Sequence, residues 1–260
     1  MKNYHLPVKF LKKARTAGVA TSFIFISFLS GSQALFSQVI PEKKLIDFKV
    51  STDLVSQYIW RGTVASLNPN IQPTIALVSG NFEAGLWGST DFLASYKELD
   101  PYIAYTMNSF KIALTDYDWI FSNSSYFYYK NSSTDHVFEI SLNFLGTEKL
   151  PLSLSINTML YGADKKWDNN TDSFTDKQNY STYLELAWMF KPCSVFVGVT
   201  PFNGYYGAGY GKTDGFAVCN MGISSTRTIK ITPDFNLPLK GTLCINPQAE
   251  SIHMIIGITL

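Results

Sequence analysis

The sequence predicts an all-β protein: a transmembrane antiparallel up-and-down β-barrel of about twelve strands, preceded by a signal peptide. Three observations carry that expectation. The first residues have the charge and apolar pattern of an export leader, the rest divides into period-two segments about ten residues long, and the connections between those segments alternate between short and long.

Residues 1–34 contain Lys2, Lys9, Lys12, Lys13 and Arg15 without an acid, then an apolar run over 17–29, then Ser32-Gln33-Ala34. A basic head, a short apolar middle and small residues at the cut define a secretory leader, with cleavage after Ala34 or as late as Gln38. The expected mature chain, 35–260, is one barrel domain. The leader holds five of the 21 basic residues and none of the 20 acids, which leaves 16 against 20, a net charge of −4. No basic stripe remains for nucleic acid.

Charged residues make up 16% and aromatic residues 15% of the chain, against about a quarter charged in ordinary globular domains. That balance suits an outer face in contact with lipid, so outer-membrane lipid is the expected surrounding. No run after the leader reaches the ~18 apolar residues of a transmembrane helix, so strands must make any crossing.

The first strand is expected over 45–60, with Phe48, Val50, Thr52, Leu54 and Tyr58 on one face and Asp47, Lys49, Ser51, Asp53 and Gln57 on the other. Asn68-Pro69-Asn70 breaks the chain before a strand over 71–78. Ser79-Gly80-Asn81 turns it into 82–90, a polar loop leads to 98–107, and Asn108-Ser109 turns into about 110–121. A loop over 122–135 follows.

The hairpin 136–161 shows the pattern most plainly. Phe138, Ile140, Leu142 and Phe144 alternate with Val137, Glu139, Ser141 and Asn143; after Gly146-Thr147-Glu148-Lys149, Leu150, Leu152, Leu154, Ile156 and Leu160 alternate with Pro151, Ser153, Ser155, Asn157 and Met159. Such alternation means strand, and ten residues per arm matches a tilted membrane crossing. The most polar connection, 162–178, precedes a strand over 179–190. Lys191-Pro192 turns into 194–202, and a Gly/Tyr loop over 204–215 leads to strands at 216–224, 237–245 and 251–260. Two connections depart from the alternation: 225–236 is long where a turn is expected, and 246–250 is short where a loop is expected.

Period two also sorts the polar side chains. Asp47, Asp53, Glu83, Glu98, Asp100, Glu139 and Glu185 fall on the inner face with Lys49, Arg61, Lys111 and Lys240. Asp53, Arg61, Glu83, Glu98, Asp100, Lys111, Glu139, Glu185 and Lys240 are the candidate pore residues. An excess of acids makes a wet lumen mildly cation-preferring; paired among themselves, the same charges stiffen a plugged one. Arg61, expected at the outer end of the first strand, offers a guanidinium able to hold neighbouring carboxylates. Trp60, Trp87, Trp119 and Trp188 are girdle or lumen-wall candidates.

Three stretches resemble a known family: Tyr58-Ile59-Trp60-Arg61-Gly62, Gly85-Leu86-Trp87-Gly88-Ser89-Thr90-Asp91 and Glu98-Leu99-Asp100-Pro101-Tyr102-Ile103-Ala104-Tyr105. They are similar to the N-terminal half of the TorF-type porins, outer-membrane barrels of Gram-negative bacteria, over about the first third of the mature chain. Ala104 stands where many of those relatives carry Gly. The ending Asn246-Pro247-Gln248 before an apolar strand is similar to barrels of the Bacteroidetes kind. The resemblance implies the fold, the outer membrane of a Gram-negative bacterium and, through the porin label, passive passage of small polar solutes or ions.

Two other function classes stand beside passage. An adhesin or assembly role would use Tyr126, Phe127, Tyr128 and Tyr129 with Tyr205, Tyr206 and Tyr210 as an outer contact surface. A lipid-modifying barrel enzyme would need a nucleophile, a base and an orienting acid; Ser251 and His253 share a face but bring no nearby carboxylate. No catalytic motif, cofactor motif or metal-ligand cluster appears, so neither an enzyme nor a cofactor is expected. Cys193, Cys219 and Cys244 are odd in number, and parity puts Cys219 on the apolar face and Cys244 on the other, against a disulfide.

Overall fold

The computed structural model describes residues 46–119, 125–130, 133–206 and 215–260. The expected leader lies outside these residues. Sixteen strands follow in order: β1 (Asp47–Val55), β2 (Tyr58–Trp60), β3 (Thr63–Ser66), β4 (Asn70–Ser79), β5 (Phe82–Asp91), β6 (Lys97–Met107), β7 (Phe110–Asp118), β8 (His136–Phe144), β9 (Leu152–Gly162), β10 (Lys165–Asp168), β11 (Ser173–Gln178), β12 (Thr182–Phe190), β13 (Cys193–Thr200), β14 (Ala217–Lys230), β15 (Asn236–Asn246) and β16 (Ser251–Thr259). Twelve of them form a closed antiparallel barrel in the order β1-β16-β15-β14-β13-β12-β9-β8-β7-β6-β5-β4. β2–β3 and β10–β11 are separate hairpins inside two long connections.

Closure joins the two ends of the sheet. Asp53, Leu54 and Val55 pair with Thr259, Ile258 and Gly257, and Thr52 and Leu260 exchange backbone hydrogen bonds of 3.1 and 2.9 Å. Closure leaves no free sheet edge at this level. At the short-turn end, Gly80 (φ +57°) and Asn108 (φ +54°) supply the left-handed conformation that a tight hairpin turn requires.

Alternation decides which face meets what. Val50, Ile75, Ile103, Ile112, Leu142, Leu154, Leu186, Ile223, Leu243 and Met254 are all exposed on the outside of the barrel, whereas Gln72, Asn143, Asn157, Ser194 and Asn220 are buried within it. A water-soluble fold would reverse this arrangement; an apolar outside and a polar inside suit a barrel in hydrocarbon. The apolar core is inside the barrel: Tyr117, Val137, Met159, Tyr183, Tyr206 and Cys219 cluster there, with Trp60, Trp119 and Tyr205 packed against them.

Four sequence expectations change. The first strand ends at Val55 instead of running on to residue 60: Ser56 still bonds Ile256, donating its backbone N to the Ile256 carbonyl (2.8 Å) and accepting from Ile256 N at Oγ (3.0 Å), but Gln57 reaches β16 through its side chain, Nε2 donating to Met254 O (2.8 Å). The chain then turns inward, so Tyr58, expected on the lipid face, is 5% exposed in the interior. The polar connection 162–178 contains the β10–β11 hairpin. β14 continues to Lys230 and pairs with Asn236, which shrinks the anomalous 225–236 connection to residues 231–235.

The fourth change concerns Cys219. Gly198 pairs with Asn220 but Val199 pairs with Val218, so Cys219 is the extra residue of a β-bulge and is fully buried. A bulge resets parity. Cys219 and Cys244 therefore both face the interior, and both are free thiols.

Candidate functional site

The inward chain after Val55 forms the β2–β3 hairpin, whose tip crosses the barrel interior. Arg61 (φ +51°) and Gly62 (φ +81°) make that tip. A Cβ on Gly62 would lie 2.0 Å from the Cys219 carbonyl oxygen, so only glycine allows the tip to meet the opposite wall. Asn246 Nδ2 donates to the Gly62 carbonyl at 3.0 Å, fixing the tip to β15.

Arg61 is thus not at a strand end, where the sequence placed it, but in this turn. Its Nη1 and Nη2 donate to the two oxygens of Glu139 in β8 at 2.6 and 2.8 Å. Glu139 is a fully buried carboxylate, and it also accepts from Tyr117 (3.1 Å), Tyr206 (3.0 Å) and Ser141 (3.3 Å). Arg61 Nη1 donates further to the Tyr206 hydroxyl at 2.5 Å. The rings of Trp60, Tyr183 and Tyr206 lie 4.7, 5.1 and 5.6 Å from the guanidinium carbon. A buried charge pair is costly unless every donor and acceptor is met; here bidentate geometry, phenol donors and ring faces meet them.

Residues 203–206 fold inward as well, while Phe202 stays 63% exposed. Tyr206 is 0% exposed, and Tyr205 stacks on Trp119 at 5.5 Å with Trp60 edge-on to both. The outer contact surface expected of Tyr205 and Tyr206 therefore does not form; the two rings pack in the mouth of the barrel. Tyr210 lies outside the described residues. Tyr129 stacks on buried His136 at 4.2 Å, and Phe127 is 82% exposed.

Beneath this plug is a cavity of about 320 Å³, roofed by Tyr58, Trp60, Arg61 and Gly62 and reaching down to Lys111, Leu145 and Ser194 at the level of the short turns. Its charged lining is Arg61, Asp100, Lys111, Glu185 and Lys240. With Arg61 neutralised by Glu139, two acids face two bases. The acid excess read from parity does not extend to this cavity, because the other acids are elsewhere.

Those acids are spread along the wall. Glu98 lies at the long-connection end, holding the Tyr96 hydroxyl at 2.6 Å, and Asp100 beside it accepts from Asp118 N at 3.2 Å. Glu83 accepts from Tyr102 at 2.8 Å, and Asp53 accepts from Thr259 at 2.6 Å. Glu185 takes a short hydrogen bond from Tyr183, while Asn220 donates to Tyr183 at 2.9 Å and to Glu185 at 3.3 Å. Among the nine candidates, Arg61 and Glu139 form an ion pair. Trp188 is outward and 60% exposed, as a girdle residue would be.

Sequence reasoning missed the phenols that complete the site, Tyr117, Tyr183 and Tyr206. Tyr117 shares parity with Lys111 and Tyr183 with Glu185, so inward direction was readable for two of them. Asp91 was also missed. It binds Asn68 (2.9 Å), Ser66 (3.2 Å) and Ser95, tying the base of the plug to the next connection. Ser251 Oγ and His253 Nε2 are buried without a hydrogen-bond partner, so no nucleophile–base contact joins them.

No family model matches the sequence, and no curated protein does. The TorF-type resemblance therefore rests on its three motifs. Among solved structures, the NanC porin in a rhombohedral crystal form aligns over 81% of this chain and 98% of its own, at 9% identity and a TM-score of 0.46. The strand count, closure and face pattern described above come from this chain alone.

Proposed function

We propose that this protein is an outer-membrane barrel of a Gram-negative bacterium that passes small polar solutes or ions when its first long connection releases its hold inside the lumen. The short turns then face the periplasm and the long connections the exterior, the usual orientation of such barrels. The observation that carries the proposal is the cavity of about 320 Å³ under Arg61: space runs along the lower barrel, and the β2–β3 hairpin with residues 203–206 occupies the upper part. A polar cavity of that size suits solutes of a few heavy atoms with their water.

A second reading, a permanently plugged barrel acting through its outer connections, is favoured by the number of bonds on the hairpin tip: two from Arg61 to Glu139, one to Tyr206 and one from Asn246 to Gly62. Planar-bilayer recordings separate the two. Gated passage expects rare openings in the unaltered protein and frequent ones in Arg61→Ala; silence in both, with the variant folded, means a permanent plug.

A further inference from the structure

On the exterior side of the plug lies a second cavity of about 310 Å³, between the β2–β3 hairpin and three long connections. Five aromatic rings wall it: Tyr58 and Trp60 from β2, Tyr96, Trp119 just past β7, and Tyr205. Trp119 and Tyr205 are parallel within 4°, and Trp60 stands at 66° and 69° to them, giving a corner of two flat faces and one crossing ring. The pocket opens toward the mouth of the barrel, and five large rings stand around it with Thr63, Val64 and Ala65.

Two further features say what the pocket suits. Glu98 holds the hydroxyl of the wall residue Tyr96 at 2.6 Å and shares a hydrogen bond with Asp100 two residues on; among the described residues neither has an ion-pair partner, so the two buried carboxyls hold a proton between them and carry one negative charge together. The nearest guanidinium, Arg61, is spent on Glu139. Burial, and after it the Glu98 carboxylate, push the Tyr205 phenol up to about 12. The same two causes, in the same order, raise Tyr96 well above an ordinary phenol. Thr63 Oγ1, on a lining residue, is buried with no hydrogen-bond partner, so the pocket holds one unspent hydroxyl.

We infer that this pocket binds a small quaternary ammonium compound, its methylated cation seated on the ring faces and its single polar group reaching the Thr63 hydroxyl. Ring faces carry negative quadrupole density and attract soft cations whose hydration is weak, and the single negative charge of the Glu98–Asp100 pair behind the rings adds to the field. A sugar would stack on the same rings but needs several hydrogen-bonding partners, and among the described residues the lining offers few. The inference is independent of conduction: binding here requires only the closed plug.

Isothermal titration calorimetry on the folded barrel in detergent micelles tests it, with choline as probe, 3,3-dimethyl-1-butanol as its uncharged isostere, and glucose. Choline should bind saturably, the uncharged isostere about tenfold more weakly, and glucose not measurably. Trp119→Leu and Tyr205→Leu should each weaken choline about fivefold, while Trp188→Leu on the lipid face should not. Glu98→Gln should weaken choline and leave the isostere unchanged, a charge effect readable even if an aromatic variant fails to fold. Equal affinity for choline and its isostere, binding of glucose in place of choline, or no saturable heat from choline would each overturn the inference.

Discussion

Arg61 in the turn of an inward hairpin and Glu139 in the barrel wall, 78 residues apart, meet through two hydrogen bonds of 2.6 and 2.8 Å. This pair ties the inward hairpin to the wall strand β8. Its carboxylate is fully buried, so it responds to mutation as a buried ion pair rather than as a surface bridge.

Removing one partner leaves the other charge stranded. Arg61→Met or Glu139→Leu alone should cost about 3 to 5 kcal/mol, and the double variant much less than the sum, because no charge is left unpaired. Urea unfolding of the barrel in micelles, followed by tryptophan fluorescence, gives the cycle. Additive losses would show that the two side chains do not depend on each other.

The lipid face can be tested on one hairpin. Leu142 and Leu154 are exposed outward and pair in register with Ile156 and Phe144, whereas Ser141 and Ser155 are buried inward and line the cavity. Arginine at Leu142 or Leu154 should cost about 2 to 4 kcal/mol near the midplane, and arginine at Ser141 or Ser155 markedly less. Equal damage from both sets would reverse the face assignment.

Tyr183 lies flat over Gly198, where a Cβ would come within 2.1 Å of its hydroxyl. The ring cannot yield freely, since Asn220 and Glu185 hold that hydroxyl. Gly198→Ala should therefore destabilise by about 1 to 3 kcal/mol through overpacking. Gly241→Ala, with nothing within 4 Å, should be nearly neutral by the same unfolding measurement.

Selectivity depends on the cavity lining. With the latch opened by Arg61→Ala, Glu185→Gln should move the reversal potential across a salt gradient toward anion preference and Lys240→Gln toward cation preference. Both shifts should shrink as salt rises. A current indifferent to both substitutions does not pass these residues.

A last experiment concerns the barrel as a whole. Folded outer-membrane barrels resist detergent until heated, so unboiled and boiled samples should migrate differently on a gel; identical migration would count against a closed barrel in the purified protein.

The sequence by itself determined the twelve strands of the barrel wall and the direction of most of their side chains, because period two is a local property: Glu139 and Ser141 point inward wherever β8 sits. It also placed the candidate charges inside. The tertiary structure alone decided their partners. Parity cannot tell that residues 56–66 leave the wall and fold into the lumen, because Tyr58 and Arg61 continue the alternation of β1, and the bonds that hold the hairpin inside, Arg61 with Glu139 and Asn246 with Gly62, join residues far apart in the chain. Nor can it foresee the bulge at Cys219, which reverses one face assignment by adding a single residue. The position of the inward hairpin depends on such long-range contacts. Arg61 needs a carboxylate, several inner acids were available, and closure of the barrel brought Glu139 within reach.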